Sequence, residues 1–134
     1  MNDEYPGKFD SSSLTADERN LLIDFFRRRK IFDSYLVINK IDKVTCPGCG
    51  YPTIKEKGGY EICKVCDWEN DDQDDEDADE IYGGPNGDLS LTENRLWILK
   101  ELTEKANLAG KKLSEDPENV YRALFENFYP PSLF

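Results

Sequence analysis

Apolar positions recur first at Leu21, Leu22, Phe25 and Phe26, a single stripe at helical spacing. Thr15-Ala16-Asp17-Glu18 ahead of it reads as a capping box, with Glu18 reaching back to Thr15. A helix is predicted from about residue 16 to 30, with Arg27 to Lys30 in its last turn, where cations suit the helix dipole. Residues 31–42 are open: Tyr35 to Ile38 suits a strand, whereas Ile31, Tyr35 and Ile38 also suit a helical face. Tyr51 to Glu56 and Tyr60 to Lys64 flank Lys57-Gly58-Gly59, which predicts a β-hairpin. Gly83-Gly84-Pro85-Asn86-Gly87 is a loop signal.

Ser90-Leu91-Thr92-Glu93 is a second capping box, opening a helix with Trp97, Ile98, Leu102 and Ala106 that Gly110 closes. Ser114-Glu115-Asp116-Pro117 opens a third, with Val120, Tyr121, Leu124, Phe125 and Phe128 as its buried face and Pro130-Pro131 as its end. Trp97 and the Phe stripes are expected in the core. The tail Tyr129-Pro130-Pro131-Ser132-Leu133-Phe134 is expected to pack back on the domain.

Charge changes this picture in one place. The formal net charge is −11, and residues 67–80 hold ten Asp and Glu with no Lys or Arg. Such a block repels itself, so it is solvated, mobile or bound to something positive. The acidity argues against nucleic acid and anionic membranes as partners and favours a basic protein or cations. The 134 residues contain no histidine, which excludes His-based catalysis and His metal ligands. No apolar run is long enough to span a membrane, and the acidic N-terminus does not read as a secretory signal, so a cytoplasmic protein is expected.

All four cysteines fall in two Cys-x-x-Cys pairs, Cys46 with Cys49 and Cys63 with Cys66, thirteen residues apart. Two cysteines three apart in a tight turn aim both sulfurs at one ion, and the turn's N–H groups can donate to the thiolates. Gly50, and Asp67 in the equivalent place, are expected to take the left-handed conformation that follows each knuckle. Disulfides require an oxidising compartment. A thioredoxin-type site requires a single pair at a helix N-terminus in a strand-helix-strand setting, which is absent. The pattern therefore predicts a structural Zn²⁺ held by Cys46, Cys49, Cys63 and Cys66 in a zinc ribbon, with no open coordination position. Trp68 is expected to shield the sulfurs from water.

Cys46-Pro47-Gly48-Cys49-Gly50-Tyr51, then Gly59 to Cys66, Trp68-Glu69, the acidic run and Gly83 to Gly87 together form a specific combination. Over about residues 45–100 it resembles the bacterial cysteine-rich CPCC domain family. The resemblance implies a small zinc-binding bacterial protein and implies no activity. Gly48 stands where the eponymous motif has a third cysteine, so any role of that thiol is lost here.

The acidic residues Asp71, Asp72, Asp74, Asp75, Glu76, Asp77, Asp79 and Glu80 are the candidate partner-binding set. They scan poorly as an EF-hand loop. Their bland alternative is a loop tied down by the protein's own cations, with Arg27 to Lys30 as candidates. The expected fold is α+β, a zinc-ribbon-like hairpin packed with two or three helices in a single domain. It comprises an N-terminal helical segment (1–44), the ribbon with its acidic loop (45–88) and C-terminal helices (89–134). The expected function is a non-enzymatic zinc-binding protein-interaction module, such as an immunity or antitoxin-type protein whose acidic loop binds a basic nuclease toxin. The alternatives are a zinc-ribbon accessory factor of transcription or translation, and a metal-dependent hydrolase using the acidic loop.

Overall fold

The computed structural model describes residues 7–125 and 133–134. The chain is α-dominant. Helix α1 spans Ala16–Ile38, α2 spans Leu91–Leu108 and α3 spans Pro117–Leu124. The β content is slight: β1 (Gly7–Lys8) pairs antiparallel with β2 (Glu80–Ile81), in the register Gly7↔Ile81 and Lys8↔Glu80. Helix α1 packs against both α2 and α3.

Both capping boxes form. Thr15 Oγ1 accepts from the Glu18 N–H and Glu18 returns the bond to the Thr15 N–H; Ser90 and Glu93 do the same at α2. Gly110, at φ +70°, closes α2: its N–H meets the Asn107 carbonyl and the Lys111 N–H meets the Ala106 carbonyl. Asp116 caps α3, and Pro117 occupies its first position, where the missing N–H is no loss.

Three expectations are corrected. Helix α1 runs on to Ile38, so Tyr35 to Ile38 is helical and Arg27 to Lys30 lie in mid-helix. It ends in the same motif as α2, but with Lys40 at φ +55° in the glycine position; the Ile41 N–H donates to the Leu36 carbonyl. The predicted hairpin across Lys57-Gly58-Gly59 does not form. Isolated bridges Val44↔Ile54 and Ile62↔Glu69 instead close each cysteine pair on itself. Trp97, Phe125 and Phe26 are exposed, at the margin of the core and not within it.

One hydrophobic cluster joins the helices to the cysteines. It takes Phe25 and Phe32 from α1, Ile98, Leu99 and Leu102 from α2, Val120 and Leu124 from α3, and Tyr51, Ile54, Val65 and Trp68 from the cysteine segment. Leu133 is fully buried in it, and its carbonyl accepts from the Ser114 N–H, so this part of the tail does pack back. Phe128, Tyr129, Pro130, Pro131 and Ser132 lie outside the described residues.

Candidate metal centre and its acidic latch

The two cysteine pairs build one pattern twice. In the first, the Gly48 N–H donates to Cys46 Sγ (3.2 Å) and the Gly50 N–H to the Cys46 carbonyl (2.7 Å). In the second, the Val65 N–H donates to Cys63 Sγ (3.3 Å) and the Asp67 N–H to the Cys63 carbonyl (2.9 Å). Gly50 at φ +83° and Asp67 at φ +63° take the left-handed positions expected of them. Gly50 also faces α1 closely: a Cβ there would lie 3.0 Å from Phe25 Cε1.

The four sulfurs converge within 4.8 Å of one another, and all four cysteines are buried. Cys46 and Cys66 Sγ are 3.7 Å apart, and Cys49 and Cys63 Sγ 3.6 Å. Four thiolates at ~2.3 Å around one ion in a tetrahedron would have edges of about 3.8 Å. The cluster therefore fits a metal ion, with a pair of sulfurs from each knuckle. The Thr53 hydroxyl lies 3.0 Å from Cys63 Sγ, a second donor to that thiolate. Burial pushes the Cys46 and Cys49 thiols up, whereas hydrogen bonds from the other three cysteines hold Cys63 far down.

Trp68 is buried beside the cluster, as expected. Helix α2 holds the first knuckle from the other side. Asn94 Nδ2 donates to the Gly48 carbonyl (3.2 Å) and Arg95 Nε to the Pro47 carbonyl (2.8 Å). A Cβ on Gly48 would fall 2.7 Å from Asn94 Nδ2 and 3.0 Å from Cys66 Sγ, so Asn94 occupies the space any side chain at position 48 would need. Asn94 and Arg95 were not legible as site residues; two polar positions in the first turns of an otherwise apolar helix face were the available signal.

The acidic segment is ordered by the protein's own cations. Arg29 grips Asp74 with two N–H···O bonds, Nη1 to Oδ1 (2.7 Å) and Nη2 to Oδ2 (3.1 Å), and its Nε donates to Thr45 Oγ1. Arg95, 2% exposed, reaches Asp75 Oδ1 at 2.7 Å, and its guanidinium lies over the Phe25 ring. Lys57 adds a longer contact to Asp74. Burial pushes the Asp74 carboxyl up, but the hydrogen bonds and charge of Arg29, the Asp75 N–H and the Arg95 charge together more than offset this, so it titrates below its ordinary value.

Other carboxylates meet local donors. Asp71 accepts from the Gln73 N–H and Asn86 Nδ2, Asp77 from the Asp74 N–H and the Tyr82 hydroxyl, and Asp79 from the Thr92 hydroxyl. Asp72 and Glu76 stand exposed, Asp75 remains more than half exposed, and Glu80 is intermediate. Among the described residues, no three carboxylates of the segment converge as the cysteines do. The Arg27 to Lys30 run is no open basic patch either: Arg28 is buried, Arg29 is committed to Asp74, and Arg27 pairs with Asp24 and Glu115. No helix among the described residues is long and apolar enough to cross a membrane.

The profile of the cysteine-rich CPCC family matches residues 44–100. That stretch contains both knuckles, the acidic segment and the first half of α2, and the resemblance seen in the sequence holds over it. No curated protein and no solved structure matches the chain.

Proposed function

We propose that this cysteine-rich CPCC stretch holds one structural Zn²⁺ and uses it to build a non-enzymatic protein-interaction module. The observation that carries the reading is the pair of sulfur contacts at 3.6 and 3.7 Å, near the edges of a tetrahedral four-thiolate site. Four thiolates leave no coordination position for water or substrate, so the ion's contribution is folding energy. Through Gly50 against Phe25, and Pro47 and Gly48 against Arg95 and Asn94, the centre fastens α1 and α2 to the first knuckle, and Arg95 reaches on to Asp75 of the acidic segment.

The partner is a basic protein, such as the nucleic-acid-binding groove of a nuclease toxin. What supports this is the outer edge of the latched segment. A cleft of about 370 Å³ is lined by the apolar Leu14, Leu22 and Phe26 and by more carboxylates, Glu76, Asp79 and Glu80 among them, than its one cation, Arg95. Such a cleft suits a Lys or Arg side chain, whose stem wants apolar contact and whose head wants carboxylate. The latch pre-organises these carboxylates, which lowers the entropy cost of binding.

Two measurements test the reading. Elemental analysis of pure protein should find one zinc per chain. Capture from the native host at low salt should retain a basic protein that Glu76→Lys combined with Glu80→Lys releases. Capture unaffected by both charge reversal and high salt would count against the acidic edge as the binding surface.

A further inference from the structure

The four sulfurs are not equally protected. Cys63 Sγ has two donors, the Val65 N–H and the Thr53 hydroxyl, and Cys46 Sγ has one, the Gly48 N–H. Among the described residues, Cys49 and Cys66 Sγ meet only other sulfurs. Hydrogen bonds to a metal-bound thiolate withdraw charge from it and damp its nucleophilicity; a bare thiolate keeps its charge. Cys66 combines this with an approach route. It forms part of the wall of a largely apolar cleft of about 420 Å³, together with Trp68, Pro85, Leu89, Asn94 and Trp97. Leu89 and Trp97 at this cleft are exposed.

We infer that Cys66 is the thiolate through which electrophiles and hydroperoxides enter the metal centre. The inference rests on the four-thiolate reading of the site. With a hydroperoxide, the Cys66 sulfur lone pair attacks one peroxide oxygen. The O–O bond breaks, and the departing alkoxide or hydroxide takes a proton from water. Sulfur is oxidised to sulfenic acid and the peroxide is reduced to an alcohol or water. With an alkylating agent an S–C bond forms and halide leaves. Either product is a poorer ligand than a thiolate, so the second knuckle loses its hold on the ion. The largely apolar lining, with the Asp67 carboxylate in it, favours small uncharged reagents over anionic ones.

The test is site-resolved labelling of the metal-loaded protein with substoichiometric iodoacetamide, and separately with hydrogen peroxide, read by peptide mass spectrometry alongside metal release. Metal content is measured first. The expected first adduct is on Cys66, several-fold ahead of the other three, with metal release following it. Trp97→Ala, an exposed position, opens the cleft mouth and should speed labelling at Cys66 alone. Thr53→Val removes a donor from Cys63 and should raise labelling at Cys63 without changing Cys66. Labelling of Cys49 as fast as Cys66 overturns the inference. So does labelling of all four together at the rate of spontaneous metal loss, which would mean entry through unfolding. Protein that is folded without bound metal overturns the four-thiolate reading itself, and the inference falls with it.

Discussion

Arg29 and Asp74 meet through two parallel hydrogen bonds, 2.7 and 3.1 Å long, across 45 residues of chain. The contact turns a run of ten carboxylates from a self-repelling tail into a docked part of the fold. Both side chains are mostly covered, so removing one partner leaves the other in a poorly solvated place with only longer ion-pair contacts, Arg29 to Asp75 or Asp74 to Lys57 and Arg95.

Arg29→Met and Asp74→Asn should each destabilise the metal-loaded protein by about 3 kcal/mol. The double variant should lose less than the sum, giving a coupling energy readable from denaturant melts. The folded-state pKa of Asp74 lies below its ordinary value of 3.8, so its stabilisation is present above that pH and lost as pH falls through the folded value. The stability difference between natural protein and Asp74→Asn should therefore stay flat from neutral pH to about 5 and shrink below about pH 4.

The two left-handed knuckle positions should respond in opposite directions. Gly50→Ala puts a Cβ at φ +83° and 3.0 Å from the Phe25 ring, and should cost about 2 kcal/mol. Asp67→Gly relieves a non-glycine residue at φ +63° and should be neutral or stabilising by up to about 1 kcal/mol. Equal destabilisation by both would mean that the knuckles are not built alike.

Metal removal should unfold much more than the cysteine segment. The four cysteines share one cluster with Phe25, Phe32, Ile98 and Leu99, and structural zinc is worth on the order of 10 kcal/mol at neutral pH. A strong chelator should therefore abolish most of the helical circular dichroism, and restoring zinc should bring it back. Helicity unchanged after complete metal removal would refute this.

Tyr51 is buried against Phe32, yet its hydroxyl has no hydrogen-bond partner among the described residues. Burial pushes this hydroxyl's pKa well up. Tyr51→Phe removes an unpaired polar atom and nothing else, so it should raise stability by about 1 kcal/mol. A loss of that size would instead reveal a partner for the hydroxyl.

What could be read beforehand follows from the range of each interaction. Thr15 with Glu18, Ser90 with Glu93, Gly110, and the Gly50 and Asp67 positions are local devices, complete within a few residues, and all stand where the sequence placed them. The end of α1 was missed because Lys40, a residue with no preference for positive φ, does what glycine usually does. The hairpin signal between Tyr51 and Lys64 is misleading. Its turn signal is present, but each strand-like run is drawn instead into closing its own knuckle by a single bridge. Trp97 falls in the helical stripe by period but stays more than half exposed among the described residues, at the rim of the cleft it shares with Trp68 and Leu89. The fate of the acidic segment was undecidable locally: whether it is solvated or docked depends on Arg29 and Arg95, which come from helices on either side of it in the chain.

The closeness of Gly50 to α1 has a consequence for how the protein responds to its surroundings. The middle of α1, from Phe25 to Phe32, rests on the first knuckle through Gly50 and Tyr51. An isolated helix is marginal in water, so this stretch depends on that support. By linkage, whatever saturates the sulfurs sets the opening equilibrium of amides some twenty residues upstream. Amide exchange in α1 should then slow by a constant factor for each tenfold rise in free metal, until the global unfolding limit is reached. The helix would act as a gauge of metal availability, and a protease that attacks its open form would degrade the protein according to the cell's free-metal level.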